Sequence, residues 1–279
     1  MPRAPYSDGP TMTLPRPGPA LRVVLLVVVS IWLAFAVGIN WGGAPESLFY
    51  ALCGNTRLIL SGEIWRLFTA PLLHVPSGTI GHILTTMLGL YFLGTSLESS
   101  WGGRRFLGFL AASALFAYVT QMLVEIAMPA NIASKLVGEY WFGAVPVISA
   151  ISIAWALSFR GRTVNLMLVF PVSSRGLIAF VFILNVMYLL AGAGGPDGLI
   201  SPFGGMLAGY LFGGGTPSPV RKLWLKLKLA QLDAEARREA TQRKQRVARG
   251  GFKVIEGGRG SEDSDERDSR KGPDGGWLN

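Results

Sequence analysis

Two histidines and one cysteine are all the imidazoles and thiols that this chain of 279 residues offers. Cys53 has no second thiol with which to close an intramolecular bridge, and His74 and His82 belong to no cluster of zinc-ligand spacing. A disulfide scaffold and a zinc cluster are thereby excluded, and no cofactor or metal is expected. Charge is scarce as well: 15% of residues are charged against 50% apolar, and the mean hydropathy is +0.39. So few polar side chains cannot coat a water-soluble globule of 30.0 kDa, which excludes an ordinary soluble domain. There is no internal repeat, and little charge lies inside the apolar blocks, which argues against a small ion-coupled transporter.

What the chain does contain is apolar runs approaching bilayer-spanning length. Leu21–Ile39 is long enough, at ~1.5 Å rise per residue, to cross ~30 Å of hydrocarbon. It exceeds an ordinary signal-peptide core and no A-x-A site follows, so it reads as a retained anchor. Five more runs lie at Thr79–Leu97, Phe106–Met128, Trp141–Phe159, Gly176–Gly192 and Ile200–Gly214. The last is short and glycine-rich, as suits a helix buried among helices. The expected fold is an all-α, polytopic bundle of six transmembrane helices over residues 21–217. The proline- and glycine-rich residues 1–20 and the charged residues 250–279 are expected to be disordered tails.

Basic residues orient the bundle, because they are retained on the cytoplasmic side. With the amino terminus inside, the cytoplasmic segments carry Arg3, Arg16, Arg22, Arg104, Arg105, Arg160, Arg162, Arg175 and the basic carboxyl tail. The other side holds only Arg57, Arg66 and Lys135. Both termini are therefore expected in the cytoplasm, and a compact six-span form suits a bacterial inner membrane. The first loop, Asn40–Gly78, is long and non-cytoplasmic. Its apolar pieces Ser47–Cys53 and Glu63–Leu73 are too short to span and should lie in the interface, with Trp41, Tyr50 and Trp65 at headgroup level.

The net charge of +9 could point to nucleic acid, but the basic residues sit mostly beside hydrophobic spans, so anionic lipid is the expected partner. The segment 218–249 carries ten basic residues against three acidic ones, from Arg221 to Arg249. Good helix formers dominate it, and it reads as a helix at the membrane surface.

Three separated features resemble the rhomboid family of intramembrane serine proteases. Glu63-Ile64-Trp65-Arg66-Leu67-Phe68-Thr69 followed by His74 is similar to the family's Trp-Arg loop motif. His82 followed by Thr86 stands where the family has His-x-x-x-Asn, and Gly94, Leu97, Glu98, Gly102 and Arg105-Phe106-Leu107 resemble the turn into the third span. Gly205-x-x-x-Gly209 is similar to the close-packing glycines of the sixth span. The resemblance covers roughly residues 60–215 and implies hydrolysis of transmembrane substrates by a serine–histidine dyad. The serine would stand in Gly-x-Ser-Gly at the start of the fourth span and the histidine in the sixth.

Those two groups are missing. The matching tetrad is Gly143-Ala144-Val145-Pro146, so Val145 holds the nucleophile position. Pro202 holds the histidine position, and no histidine occurs anywhere after His82. A hydroxyl needs a neighbouring base before it attacks, and the oxyanion needs positioned donors; where the family has an asparagine amide, Thr86 offers one hydroxyl. A substitute dyad would have to pair Ser149 or Ser152 with His82, with a further residue fixing the imidazole. Serines in membrane helices more often bond a backbone carbonyl or support close packing. Glu125 and Asn185 are further polar residues within spans. The sequence therefore points to a catalytically dead rhomboid-like protein that binds transmembrane clients, with an active protease built on the substitute dyad as the alternative.

Overall fold

The computed structural model describes residues 16–78, 80–166, 170–213 and 219–249. The expected tails at 1–15 and 250–279 lie outside the described residues. Among the described residues, three helices are long and apolar enough to cross a membrane: α1 (Pro19–Asn40), α7 (Gly103–Ala127) and α10 (Ser174–Ala191). Helix α1 follows Pro17 and Gly18 and carries proline at its first position, where no N–H is needed. Little of it is buried against the rest of the chain, as expected of a helix whose apolar surface faces lipid.

The first loop is built from short pieces: α2 (Ser47–Tyr50), α3 (Thr56–Leu60), α4 (Arg66–Thr69) and a 3-10 turn at Ala70–Leu72. Asn55 starts α3 by accepting the Leu58 N–H at 3.1 Å, a side-chain cap for a helix too short to stand alone. The second apolar run is one continuous helical path, α5 (Gly81–Gly89), a π turn at Leu90–Gly94 and α6 (Thr95–Trp101). Gly102, with φ +82°, ends it, and α7 (Gly103–Ala127) follows, then the short α8 (Ala130–Leu136).

The fourth helix, α9 (Val145–Ser158), starts later than the run beginning at Trp141 suggests. Trp141 exchanges backbone hydrogen bonds with Gly54, at 2.8 and 2.9 Å, and the Gly143 N–H bonds the Ala70 carbonyl at 2.9 Å. The first loop thus holds residues 141–143 out of helix. After α9 comes an antiparallel hairpin, β1 (Thr163–Leu166) and β2 (Phe170–Ser173), pairing Val164 with Val172. The chain is mostly helical, as expected, and this hairpin is a local departure from the all-α reading, in a linker where β-branched residues favour extended pairing. Then come α10 (Ser174–Ala191), α11 (Ser201–Gly213) and α12 (Pro219–Arg249).

Helix α9 is the centre of the compact body, with Pro146, Val147 and Ser149–Ala156 all buried. Helix α11 packs against it and against α7, and α10 and α5 also lie on α9. Close approach of α11 requires its small residues. A Cβ on Gly205 would overlap the Pro146 carbonyl, one on Gly209 the Ala150 carbonyl, and one on Gly213 the Ala154 side chain. This four-residue spacing is a helix-on-helix seam of backbone contact. The compact body extends through Leu225. The following part of α12, Lys226–Arg249, is a helix whose described side chains are exposed.

Candidate functional site

A cavity of about 540 Å³ lies at the start of α9. Helix α5 contributes His82 to its wall, α9 contributes Val145, Ser149 and Ser152, α10 contributes Asn185, and the α10–α11 segment contributes Asp197 and Pro202. The fold therefore brings Val145, Pro202 and His82, far apart in sequence, to one place. Most of the remaining lining is apolar, including Leu88, Phe92, Phe180 and Leu184.

The polar end of the cavity is organised by Asp197, which is 3% exposed. Its Oδ2 lies 2.9 Å from His82 Nε2, and its Oδ1 accepts the Val145 backbone N–H at 3.1 Å. Gly143 makes room for this pair. Its φ of +127° suits glycine, and a Cβ there would stand 2.7 Å from both the Asp197 carboxyl carbon and His82 Cε1. The Tyr118 hydroxyl donates to the Gly143 carbonyl at 2.7 Å, and Tyr118 stacks on Trp141 at 4.4 Å. An aromatic post thus fixes the backbone just before α9.

If the carboxylate accepts from His82 Nε2–H, a ring without a second proton keeps its lone pair on Nδ1. That Nδ1 is buried and has no hydrogen-bond partner among the described residues. A carboxylate fixing an imidazole whose other nitrogen is free is half of a general-base arrangement. The other half, a hydroxyl on the free nitrogen, is not found among the described residues. Ser152 donates its Oγ–H to the Ile148 carbonyl at 2.8 Å, as serines in apolar helices commonly do. Ser149 is buried on the cavity wall. The Val145 N–H sits at a helix start, where a backbone donor could face a developing oxyanion; here Asp197 already occupies it.

His74 and Thr86 form the one contact between an imidazole and a side-chain hydroxyl given by these two rings. His74 Nε2 lies 3.0 Å from Thr86 Oγ1, which also bonds the His82 carbonyl at 3.2 Å. Thr86 is fully buried, and it is Thr85, not Thr86, that lines the cavity. The oxyanion-like position expected of Thr86 is thus not on the cavity wall: its hydroxyl is turned toward the first loop. His74 is 1% exposed, and its ring lies 4.9 Å from that of His82. Burial, with the charge of His82 adding to it, lowers the His74 pKa to about 4, against a smaller upward pull from the Leu72 carbonyl. Among the described residues no three of His, Cys, Asp and Glu come together as metal ligands.

The remaining motif residues hold the frame. Arg66 is 5% exposed and donates to the carbonyls of Tyr50 at 2.6 Å and Cys53 at 2.7 Å, and pairs with Glu63 at 2.6 Å. It closes the first loop around carbonyls that would otherwise lack donors. Trp65 is half exposed, with Nε1 3.4 Å from the Ala51 carbonyl. Glu98 accepts the N–H groups of Ala20 at 2.9 Å and Leu21 at 3.1 Å, capping α1. Glu125 accepts from the Thr56 hydroxyl, and Asn185 donates to the Val181 carbonyl at 2.8 Å.

Asp197 is the residue that sequence reasoning missed. A single acid within Gly195-Pro196-Asp197-Gly198, just before an apolar run, was the available signal, since an ionisable residue at membrane depth marks a site by default. Gln121 is a second: fully buried on α7, it accepts the Ser201 N–H at 3.0 Å and holds the start of α11.

Parts of the sequence have counterparts among known proteins. Rhomboid protease GluP of Bacillus subtilis is 34% identical over 84 residues, which is 30% of this chain and 16% of that protein. The chain therefore matches only a small part of that relative's length. The Rhomboid domain model matches residues 61–217, from the Arg66 loop through the glycine seam of α11 and more than half of the sequence, and by that match the protein belongs to the rhomboid family, as an integral, multi-pass helical membrane protein.

Proposed function

We propose that this rhomboid-family protein holds transmembrane client proteins without cleaving them. One observation carries the reading: at the start of α9 the nucleophile position is Val145, and Asp197 engages both the Val145 N–H and the imidazole of His82. Peptide hydrolysis through a serine needs an activatable hydroxyl, a base and free oxyanion donors at one point. Here the hydroxyl is lacking and the donor is taken. The cavity between α5 and α10 still offers a client helix an apolar wall with Asn185 and Ser149 on it. Such contacts contribute ~1–2 kcal/mol per hydrogen bond in lipid, which favours broad, weak client choice.

A single pair of measurements tests this. The purified protein should not label with a serine-directed fluorophosphonate, and photo-crosslinkers placed on the α5 and α10 faces should capture single-span membrane proteins. A crosslinking profile matching that of an unrelated six-span control would remove the client reading. Labelling that disappears with Ser149→Ala or Ser152→Ala would establish instead an active endopeptidase using His82. That second reading has one observation in its favour: Asp197 fixes the imidazole and leaves Nδ1 without a hydrogen-bond partner among the described residues.

The reading extends to placement. Six spans, α1, α5–α6, α7, α9, α10 and α11, with both termini in the cytoplasm of a bacterial inner membrane, agree with the distribution of Arg and Lys. The basic helix α12 would lie on anionic lipid, with Leu223, Leu227 and Trp224 exposed among its cations.

A further inference from the structure

Asp197 stands in a segment fixed from behind. The Phe142 N–H bonds the Pro196 carbonyl at 2.9 Å, the Leu199 N–H bonds the Leu136 carbonyl at 3.0 Å, and the Ser201 hydroxyl bonds the Asp197 carbonyl at 2.8 Å. With its backbone so held, the residue projects only its carboxylate toward α5 and α9. One oxygen takes His82 of α5, and the other takes the first N–H of α9. Helices α5 and α10 both line the cavity, and Asp197 stands in the segment between α10 and α11. The carboxylate therefore ties the starts of α5 and α9 to the α10–α11 segment at the polar end of the cavity.

We propose that Asp197 is a latch: its paired hydrogen bonds to His82 and Val145 hold α5 toward the α10–α11 segment and set how readily a guest enters the cavity. One partner is a backbone N–H at the start of α9, so besides Asp197 only the His82 ring has to be ordered for both bonds to form. Loss of the carboxylate leaves the Val145 N–H and His82 Nε2 without acceptors in a largely apolar space, and those groups are then satisfied by letting water or a guest in. The inference deepens the client-holding reading and rests on it for the identity of the guest, but the latch itself concerns access alone.

Access can be measured without any client. In the full-length protein carrying Ser149→Cys, a thiol on the cavity wall is exposed to a small cationic methanethiosulfonate reagent, and modification at each cysteine is followed by mass spectrometry. The natural Cys53 is fully buried in the first loop and does not line the cavity, so it reports loosening of the whole fold. Adding Asp197→Ala should speed modification at position 149 by about tenfold or more, with Cys53 unchanged. Asp197→Asn should stay near the parent rate, because the amide can accept the Val145 N–H and donate to the other tautomer of His82. His82→Phe, which cuts the α5 arm alone, should raise the rate in the same direction and decides the matter if Asp197→Ala does not fold. An unchanged rate at position 149, or a parallel rise at Cys53, would overturn the latch. Neither result bears on client capture, so failure of the latch and failure of the client reading are separable.

Discussion

Gly205 of α11 rests on the backbone of Pro146 at the first turn of α9, so that a Cβ there would stand 2.7 Å from the Pro146 carbonyl carbon. Four residues on, a Cβ at Gly209 would stand 2.9 Å from Ala150 Cα. In both cases the obstacle is main chain, which cannot rotate away. The seam that carries Pro202 to the cavity therefore depends on two absent methyl groups.

Substitution along this seam should be costly. Gly205→Leu is expected to destabilise by about 3 kcal/mol or more, seen as a fall in the thermal unfolding midpoint in detergent, because overpacking against backbone has no rotamer solution. Gly108 of α7 is the internal control: a Cβ there meets nothing within 4 Å. Gly108→Ala should be neutral or stabilise by about 0.5–1 kcal/mol through helix propensity. Equal effects at the two positions would mean that α11 does not pack against α9 as described.

Glu98 links the start of the first span to the end of the second. Its carboxylate, 4% exposed, accepts two N–H groups at the amino end of α1, and Gly18 leaves the space for it. A negative charge there also faces the positive end of the helix dipole. Glu98→Ala leaves both N–H groups without this acceptor and should lower stability by about 1–3 kcal/mol. It should also increase proteolytic cutting near residues 16–20, which a chain merely loosened elsewhere would not show. Glu98→Gln, keeping one acceptor oxygen, should fall between.

Much of this was legible in the sequence, for a physical reason. Lipid demands long apolar runs, so hydropathy placed Leu21–Ile39 within two residues of α1, and Gly176–Gly192 within two residues of α10. The late start of α9 was hidden because Trp141 and Gly143 are held by Gly54 and Ala70, more than seventy residues earlier. The hairpin was hidden because four-residue strands in a loop carry little periodicity. Val145 and Pro202 could be placed by motif, and both line the cavity. Asp197 could not, since its meaning comes from His82 and Val145, which lie 115 and 52 positions away. Thr86 was visible as a residue of the motif, whereas the direction of its hydroxyl, toward His74, depends on how the first loop folds back.

His74 gives the first loop a pH dependence whose sign is fixed by burial. Its pKa falls from 6.5 to about 4 in the folded chain, so in the window between those values the unfolded state binds a proton that the folded state refuses. Stability should thus be full above about pH 6.5, decline as pH drops toward 4, and lose nothing further from this group below that; a shift of this size corresponds to on the order of 3 kcal/mol. His74→Gln can keep a hydrogen bond to Thr86 and does not titrate, so its unfolding midpoint, followed from pH 7.5 to 4, should decline less steeply than that of the parent. Carboxylates titrate in both proteins and cancel in the difference. Parallel curves would show that His74 takes up its proton as easily inside the loop as outside it, and that the contact between the first loop and α5 is more open than the 1% exposure of this ring implies.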